Sequence, residues 1–238
     1  MLRRAVFSPL LSLFFPSHCT GCASRIGEGE DFCGECYSSI EFIQPPRCQT
    51  CSQPFAGLAS EFDCPNCRGA AFHFECAVSV LRSRRVIRDL IHRVKYNREF
   101  WITRCLGKFL TAGLDDPRLS GQTFDGIVPV PLHPKRLRER EFNQAALLAR
   151  HLSQNSGIPL RNVLLRNRYT NTQTALDRRE RRQNLRNAFS ARKNTNVTDQ
   201  NLLLIDDVLT TGSTLDACAA VLLEMGAESV RALTLARG

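Results

Sequence analysis

Residues 202–214 read LLLIDDVLTTGST, and this stretch decides the fold. Its four leading apolar residues do not alternate with polar ones, which predicts a strand buried on both faces, as in the centre of a parallel sheet. Asp206 and Asp207 follow at the carboxyl end of this strand, where open α/β sheets bind their ligands. Residues 210–214 then open a predicted helix, and their N–H groups and hydroxyls at its positive end predict an anion site.

This segment therefore offers carboxylates for hydroxyl groups or a metal ion, beside a loop that fits a phosphate. A sugar phosphate with free hydroxyls satisfies both, and Gly212 allows the backbone to approach it closely. The chain contains neither GxxxxGK[ST] nor GxGxxG, so the nucleotide sites built on those motifs are not expected. The alternative, that the two acids only form a cap and turn, is less favoured because the full string is far more restrictive than a cap.

The rest of the chain alternates between segments with the apolar pattern of strands and segments with the apolar periodicity of helices. Predicted strands cover residues 76–81, 125–130, 162–166, 202–205 and 229–236, and predicted helices cover 84–96, 100–114, 142–156 and 213–225. This alternation predicts an α/β fold with a mostly parallel sheet covered by helices on both faces. We expect two domains, a cysteine-rich N-terminal module over residues 1–72, called the zinc module below, and a sheet domain over residues 73–238.

Eight of the eleven cysteines form four C-x2-C pairs within fifty residues. The pairs are Cys19 with Cys22, Cys33 with Cys36, Cys48 with Cys51, and Cys64 with Cys67. Such pairs predict two closed Zn²⁺ sites of four thiolates each, which are structural because no position stays open for water. A disulfide framework is less favoured, since it needs a secretory context. The simplest grouping is sequential, two neighbouring pairs to each ion, but the pattern also permits a cross-braced arrangement.

The chain is basic, with 32 Lys and Arg against 23 Asp and Glu and a formal net charge of +9. This balance fits a polyanionic partner, either nucleic acid or a substrate with several phosphates, and it also fits an ordinary basic enzyme. In the helix predicted over 84–96, one face would carry Arg84, Arg85, Arg88, Arg93 and Lys95. That face is either simply solvated or a polyanion-binding surface, and Tyr96, Phe100 and Trp101 cluster beside it.

The first sixteen residues, MLRRAVFSPLLSLFFP, imitate a short signal peptide. Pro9 interrupts the apolar run and no A-x-A-like cleavage site follows, so a short amphipathic helix docked on the body of the protein is the better prediction. No run of apolar residues reaches the length of a membrane span. We expect a soluble, cytoplasmic protein without a membrane span.

The string IDDVLTTGST resembles the phosphoribosylpyrophosphate (PRPP) motif of type I phosphoribosyltransferases. The resemblance implies that Asp206 and Asp207 hold the ribose hydroxyls and that Mg²⁺ bridges the pyrophosphate and ribose oxygens. It also implies that the loop, called the phosphate loop below, holds the 5′-phosphate through Thr210, Thr211, Gly212, Ser213 and Thr214.

With its paired cysteines, nearly the whole chain resembles the ComF family, which joins a double zinc ribbon to a phosphoribosyltransferase-like domain. VPVPLHPKR (128–136) resembles the family's pyrophosphate loop, FNQ (142–144) the helix that follows, and residues 166–189 its flexible loop. The resemblance implies ligand contacts from Pro131, Leu132, His133, Lys135 and Arg136 in the pyrophosphate loop. The matching flexible-loop positions are Arg166, Arg168, Thr172, Gln173, Leu176, Arg181, Asn184 and Phe189.

One position departs from the family pattern. Before FNQ the family usually has Arg-Gly, and this chain has Arg140 and Glu141. A glutamate takes the unusual dihedral angles of a glycine only at a cost. It would also place a carboxylate near the predicted pyrophosphate site.

The resemblance implies PRPP binding but leaves turnover open. Two functions follow, a phosphoribosyltransferase whose acceptor is unknown, and a PRPP-binding protein of DNA uptake that binds single-stranded DNA. ComF-like proteins are associated with DNA uptake in competent bacteria, so a helicase or channel protein of that process is an implied partner. We rank DNA uptake or processing with a retained PRPP site first, and no residue is identified as catalytic.

Overall fold

The computed structural model describes residues 17–57, 62–169 and 187–238. The strands are β1 Ala77–Arg82, β2 Gly126–Pro129, β3 Leu164–Arg166, β4 Phe189–Ala191, β5 Asn201–Leu209 and β6 Ser229–Arg237. The helices are α1 Gly34–Ser38, α2 Arg85–Asn97, α3 Thr103–Ala112, α4 Pro134–Arg140, α5 Gln144–Ser156 and α6 Ser213–Glu224, with 3₁₀ turns at Phe100–Ile102 and Gly113–Asp115. The predicted N-terminal helix lies outside the described residues.

A four-stranded parallel sheet forms the centre of the fold, in the order β1-β6-β5-β2. Residues 202–205 of β5 are completely buried, as their uninterrupted apolar sequence predicts. Helices α2, α3 and α5 pack on one face of the sheet, and α6 packs on the other. The predicted α/β fold, a parallel sheet flanked by helices, is therefore confirmed.

The strand that carries the two acids is longer than predicted, because β5 runs through both acids to Leu209. Strand β2 ends at Pro129, which is paired with Ile205 of β5. From Asp206 onward β5 has β6 on one side only, with Asp206 opposite Thr234. The acids thus lie beyond the end of β2, although they remain inside their own strand.

The predicted strand at 162–166 does not join the parallel sheet. Its observed part, β3, pairs antiparallel with β4 in a separate two-stranded sheet. The residues give a physical reason, since Leu164 is buried while Leu165 is 36% exposed. That alternation suits a strand with one solvated face rather than a strand buried on both faces.

The zinc module covers the outer edge of β1. The N–H of Ile43 donates to the carbonyl of Val80, and the N–H of Arg82 donates to the carbonyl of Glu41. On the same strand, the N–H of Ala77 donates to the carbonyl of Thr50 at 2.7 Å. Backbone groups at an exposed sheet edge would otherwise be open to pairing with another chain.

The opposite edge, β2, is covered by residues 159–161. The N–H of Ile127 donates to Pro159, and the N–H of Arg161 donates back to Ile127. No helix among the described residues is both long enough and apolar enough to cross a membrane. The predicted domain boundary at residue 72 stays a prediction.

Candidate functional site

The phosphate loop runs from the end of β5 into the first turn of α6. Gly212 caps the helix in the left-handed region, with φ of +85°. The hydroxyls of Thr211 and Ser213 lie 2.9 Å apart at the start of this twelve-residue helix. Hydroxyl groups and the positive end of a helix dipole meet here, which is the arrangement of an anion site.

A buried arginine that the sequence analysis missed supports the base of this loop. The Arg237 side chain donates from Nη1 to the carbonyls of Leu209, at 2.9 Å, and of Thr210. The residue is only 7% exposed and ends the apolar strand β6. The available signal was an arginine at the end of the mostly apolar run SVRALTLAR.

Asp207 is buried and forms an ion pair that the sequence analysis did not predict. Its Oδ2 lies 2.7 Å from Nζ of Lys95, and it accepts no hydrogen bond from any other described group. The side chains of Lys95 and Asp207 are 21% and 9% exposed. Helix α2 therefore delivers one positive charge to the acids at the end of the sheet.

This ion pair corrects the predicted basic face of α2. Lys95 turns inward to Asp207, and Arg93 bonds Oε2 of Glu99 and the carbonyl of Thr20, both at 2.6 Å. The apolar side of α2 fixes these directions, because Ile87, Leu90, Ile91 and Val94 pack on the sheet. Of the predicted face, only Arg84, Arg85 and Arg88 are exposed.

Asp206 has a different electrostatic environment from Asp207. Its Oδ1 accepts a hydrogen bond of 2.9 Å from the N–H of Asp207. Burial, and then the neighbouring Asp207 carboxylate, raise the pKa of Asp206 to about 7. Two acids of the same strand thus share one lysine, and a further cation at Asp206 would be favourable.

The predicted pyrophosphate loop adjoins β5, because the N–H of Val130 donates to the carbonyl of Ile205. His133 caps α4 by accepting from the N–H of Lys135, and Pro134 begins that helix. The side chains of Lys135 and Arg136 lie over the ring of Tyr169, at 4.7 and 5.6 Å from its centre. The structure thereby brings this loop to the beginning of the predicted flexible loop.

Tyr169 was not singled out in the sequence analysis. It is 37% exposed and sits next to Arg168, which is also exposed. Arg166 belongs to β3 and lies over the ring of Phe189 in β4. The other flexible-loop positions, Thr172, Gln173, Leu176, Arg181 and Asn184, lie outside the described residues.

Glu141 has a left-handed backbone conformation, which a glycine adopts at less cost than a residue with a side chain. It ends α4 in the left-handed region, with φ of +69°. Its carboxylate Oε1 lies 3.0 Å from Nη2 of Arg98, which is itself left-handed at the end of α2. The expected backbone strain at Glu141 is therefore present. The carboxylate that was expected near the pyrophosphate site is paired with Arg98, at the end of α2.

The eight paired cysteines form two groups in sequential order. The Sγ atoms of Cys19, Cys22, Cys33 and Cys36 lie within 4.8 Å of one another, and so do those of Cys48, Cys51, Cys64 and Cys67. The Cys22–Cys33, Cys48–Cys67 and Cys51–Cys64 pairs have Sγ separations of 3.7, 3.7 and 3.6 Å. A tetrahedron with Zn–S bonds of about 2.3 Å has sulfur atoms about 3.8 Å apart, so both tetrads are consistent with structural Zn²⁺.

Comparisons with known proteins match two parts of the chain. The double zinc ribbon domain matches residues 10–68, and the phosphoribosyl transferase domain matches residues 143–238. The chain is thus a double zinc ribbon joined to a phosphoribosyltransferase-like α/β domain, which is the class that its sheet and tetrads define.

Relatives that span nearly the whole chain show its family. The chain is 33% identical to competence protein F of Haemophilus influenzae over 229 residues. This match covers 94% of this chain and 98% of that protein. It is 32% identical to the DNA utilization protein YhgH of Escherichia coli, over 94% and 99% of the two chains. Competence protein ComFC of Bacillus subtilis is 28% identical, over 87% and 85%. The chain belongs to the ComF family.

Proposed function

We propose that this protein binds PRPP or a related phosphoribosyl ligand together with Mg²⁺ and acts in DNA uptake or processing. The observation that carries the proposal is the convergence of three elements at one end of the sheet. These are the acids of β5, the phosphate loop that opens α6, and the pyrophosphate loop hydrogen-bonded to β5. Ligands of open α/β sheets bind at this end.

Each element supplies a group that a phosphoribosyl ligand needs. The hydroxyls of Thr211 and Ser213 and the start of α6 would hold the 5′-phosphate. Lys135 and Arg136 would neutralise the pyrophosphate, and Asp206 would accept from the ribose hydroxyls. Mg²⁺ binds through one or two carboxylates together with phosphate oxygens, so Asp206 fits as its protein ligand. When bound, the ion would supply positive charge to the pyrophosphate.

Calorimetry with PRPP, with and without Mg²⁺, tests this proposal. Micromolar binding that requires Mg²⁺ and is lost in Asp206→Asn would support it. The matched control is Asp89→Asn, since Asp89 is an exposed acid on the outer side of α2. Absence of heat at millimolar PRPP in the wild-type protein would refute it.

Binding does not establish turnover. The alternative is an active phosphoribosyltransferase of nucleotide metabolism. Incubation with PRPP and a panel of nucleobases would detect it as released pyrophosphate. Release that depends on one base and is lost in Asp206→Asn would identify both the reaction and its acceptor.

A DNA-related role is supported by the relatives, whose names describe competence and DNA utilization. Partners from the uptake machinery, such as a helicase, belong to the same proposal. So does a cytoplasmic location, because eight thiolates that bind zinc need a reducing compartment.

An exposed surface of aromatic and cationic side chains supports the single-stranded DNA part of the proposal. Tyr96, Phe100 and Trp101 are 61%, 57% and 56% exposed. The guanidinium of Arg140 lies 5.4 Å from the centre of the Tyr96 ring, and that of Arg93 lies 5.9 Å from the Trp101 ring. Aromatic rings beside cations are the components with which proteins bind single strands.

Fluorescence anisotropy with labelled oligo-dT tests this surface. We expect Trp101→Ala to weaken DNA binding by at least about five- to tenfold, because one base would lose the aromatic ring on which it stacks. The matched control is Tyr37→Ala, because Tyr37 is 54% exposed but lies in the zinc module. Equal affinities for Trp101→Ala and the wild-type protein would exclude this surface.

A further inference from the structure

One residue of the zinc module reaches the phosphate loop directly. Asn66 lies inside the fourth C-x2-C pair and is 4% exposed. Its Nδ2 donates to the carbonyl of Thr211 over 3.4 Å, a contact between residues that are 145 positions apart. This hydrogen bond is long, so by itself it would hold the loop only weakly.

The chain that leaves this cysteine pair adds two further contacts with the same loop. The rings of Phe72 and Phe74 stack on each other and cover Gly212, where an added methyl group would lie 3.3 Å from Phe72 and 3.5 Å from Phe74. His73 then donates its backbone N–H to Oδ1 of Asp216 at 2.7 Å, and its Nδ1 lies 2.9 Å from the same oxygen.

These contacts involve consecutive parts of the phosphate loop and of the helix that it opens. Residues 66 and 72–74 contact the carbonyl before Gly212, Gly212 itself, and the first turn of α6. The second cysteine tetrad ends at Cys67, directly after Asn66. The position of Asn66 therefore depends on the turn that this tetrad closes.

The first tetrad packs in a different place. The carbonyl of Thr20 accepts from Arg93 of α2, and Gly21 packs against Val86 of the same helix. Asp31 forms an ion pair with Lys108 of α3. The segment that carries the first tetrad therefore packs on helices of the opposite face of the sheet from α6.

We propose that the second zinc site is a structural support of the phosphate loop and that Asn66 and His73 are positioning residues for phosphate binding. Zinc would fix the C-x2-C turn through its thiolate bonds. The turn and residues 72–74 then hold Thr211, Gly212 and the start of α6 in one arrangement. A loop held in this way loses less conformational freedom when it binds a phosphate.

The coupling can be measured without any ligand, by hydrogen exchange of the peptide that covers residues 208–216. In Asn66→Ala with His73→Ala we expect about five- to tenfold faster exchange in that peptide, with two Zn²⁺ still bound per chain. The size follows from the loss of the part-buried Asn66–Thr211 hydrogen bond together with the exposed side-chain contact of His73 with Asp216. The matched control is Glu35→Ala, because Glu35 is the third residue of a C-x2-C pair in the first tetrad and is exposed.

Zinc itself is tested by removing one ligand from each tetrad. Cys67→Ser is expected to lose one zinc and to accelerate exchange in residues 208–216. Cys22→Ser is expected to lose one zinc without that effect. Equal exchange in the two cysteine variants would overturn the proposal, and so would unchanged exchange in the Asn66 and His73 double variant.

PRPP titrations of the same variants connect the loop to the ligand, and this part rests on the proposed function. We expect affinity to fall about five- to tenfold in Asn66→Ala with His73→Ala and to stay unchanged in Glu35→Ala. If the wild-type protein binds no PRPP, the proposed function fails while hydrogen exchange still decides the coupling. If PRPP binds equally to all variants, the inference about phosphate binding fails alone.

Discussion

The ion pair between Lys95 and Asp207 leads to a quantitative prediction about stability. Their charged atoms lie 2.7 Å apart, with 21% and 9% of the side chains exposed. At an effective dielectric constant near 20, the Coulomb attraction is about 6 kcal/mol, most of which is offset by desolvation of the two groups. Removing one partner leaves the other buried and unpaired, which costs about 3–5 kcal/mol in a fully buried pair.

Because Lys95 keeps one-fifth of its surface in water, we expect Lys95→Met to lower the free energy of unfolding by about 2–3 kcal/mol. Asp207→Asn leaves a lysine that can extend toward solvent, so its cost should be nearer to about 1 kcal/mol. The free energy of unfolding lost in the double variant should be about 1–2 kcal/mol smaller than the sum of the losses in the two single variants. Methionine retains the apolar part of the lysine side chain. The double-mutant cycle formed by these variants and the wild-type protein therefore measures the contribution of the charge.

Urea unfolding followed by far-UV circular dichroism, at constant zinc, measures all four proteins of this cycle. Lys108→Met is the matched control, because Lys108 pairs with Asp31 at 2.5 Å while its side chain is 55% exposed. An exposed pair of this kind contributes only about 0–1 kcal/mol. If Lys95→Met were no more destabilising than Lys108→Met, or if the double variant were additive, the reasoning would be refuted.

Three further predictions concern the conformation of Glu141, the charge of Asp206 and the zinc tetrads. Glu141→Gly should raise the urea midpoint, because the relief of left-handed strain, about 1 kcal/mol, exceeds the stabilisation lost with an exposed ion pair. Glu141→Ala should lower the midpoint, because it loses the ion pair and keeps the strain. The raised pKa of Asp206 means that its contribution to stability is fully present below pH 4 and lost as the pH rises through about 7. Asp206→Asn should therefore stabilise the Mg²⁺-free protein more at pH 8 than at pH 5, and equal gains at both would contradict this. Elemental analysis should find two Zn²⁺ per chain, and Cys51→Ser, at a 1% exposed ligand, should lose one and unfold at lower urea than Cys22→Ser.

The parts of the fold that depend on local pattern could be predicted from the sequence. The apolar run before Asp206 identified the central strand, and the C-x2-C pairs identified the tetrads before their grouping was known. The strand at 162–166 was placed in the wrong sheet, because a short apolar run does not show which strand it pairs with. Antiparallel pairing of β3 with β4 depends on contacts across more than twenty residues.

The site was predictable where a motif carries it and unpredictable where tertiary contacts do. Nothing near Lys95 in the sequence shows that it turns toward Asp207, since the direction depends on how α2 packs on the sheet. The contact of Asn66 with Thr211 spans 145 positions and leaves no periodic signal. Arg237 at least stands out as a charge at the end of an apolar strand.

The cover that the zinc module places on β1 has a consequence for synthesis of the chain. Strand β1 pairs with β6, which is made about 150 residues later, with Ala77 opposite Ala232. A nascent chain would therefore expose an apolar strand for most of its translation, a state that favours aggregation. The zinc module leaves the ribosome before β1 and supplies backbone partners to its outer edge at once. We expect cells starved of zinc during synthesis to accumulate this protein as aggregates, even where the finished protein keeps its metal.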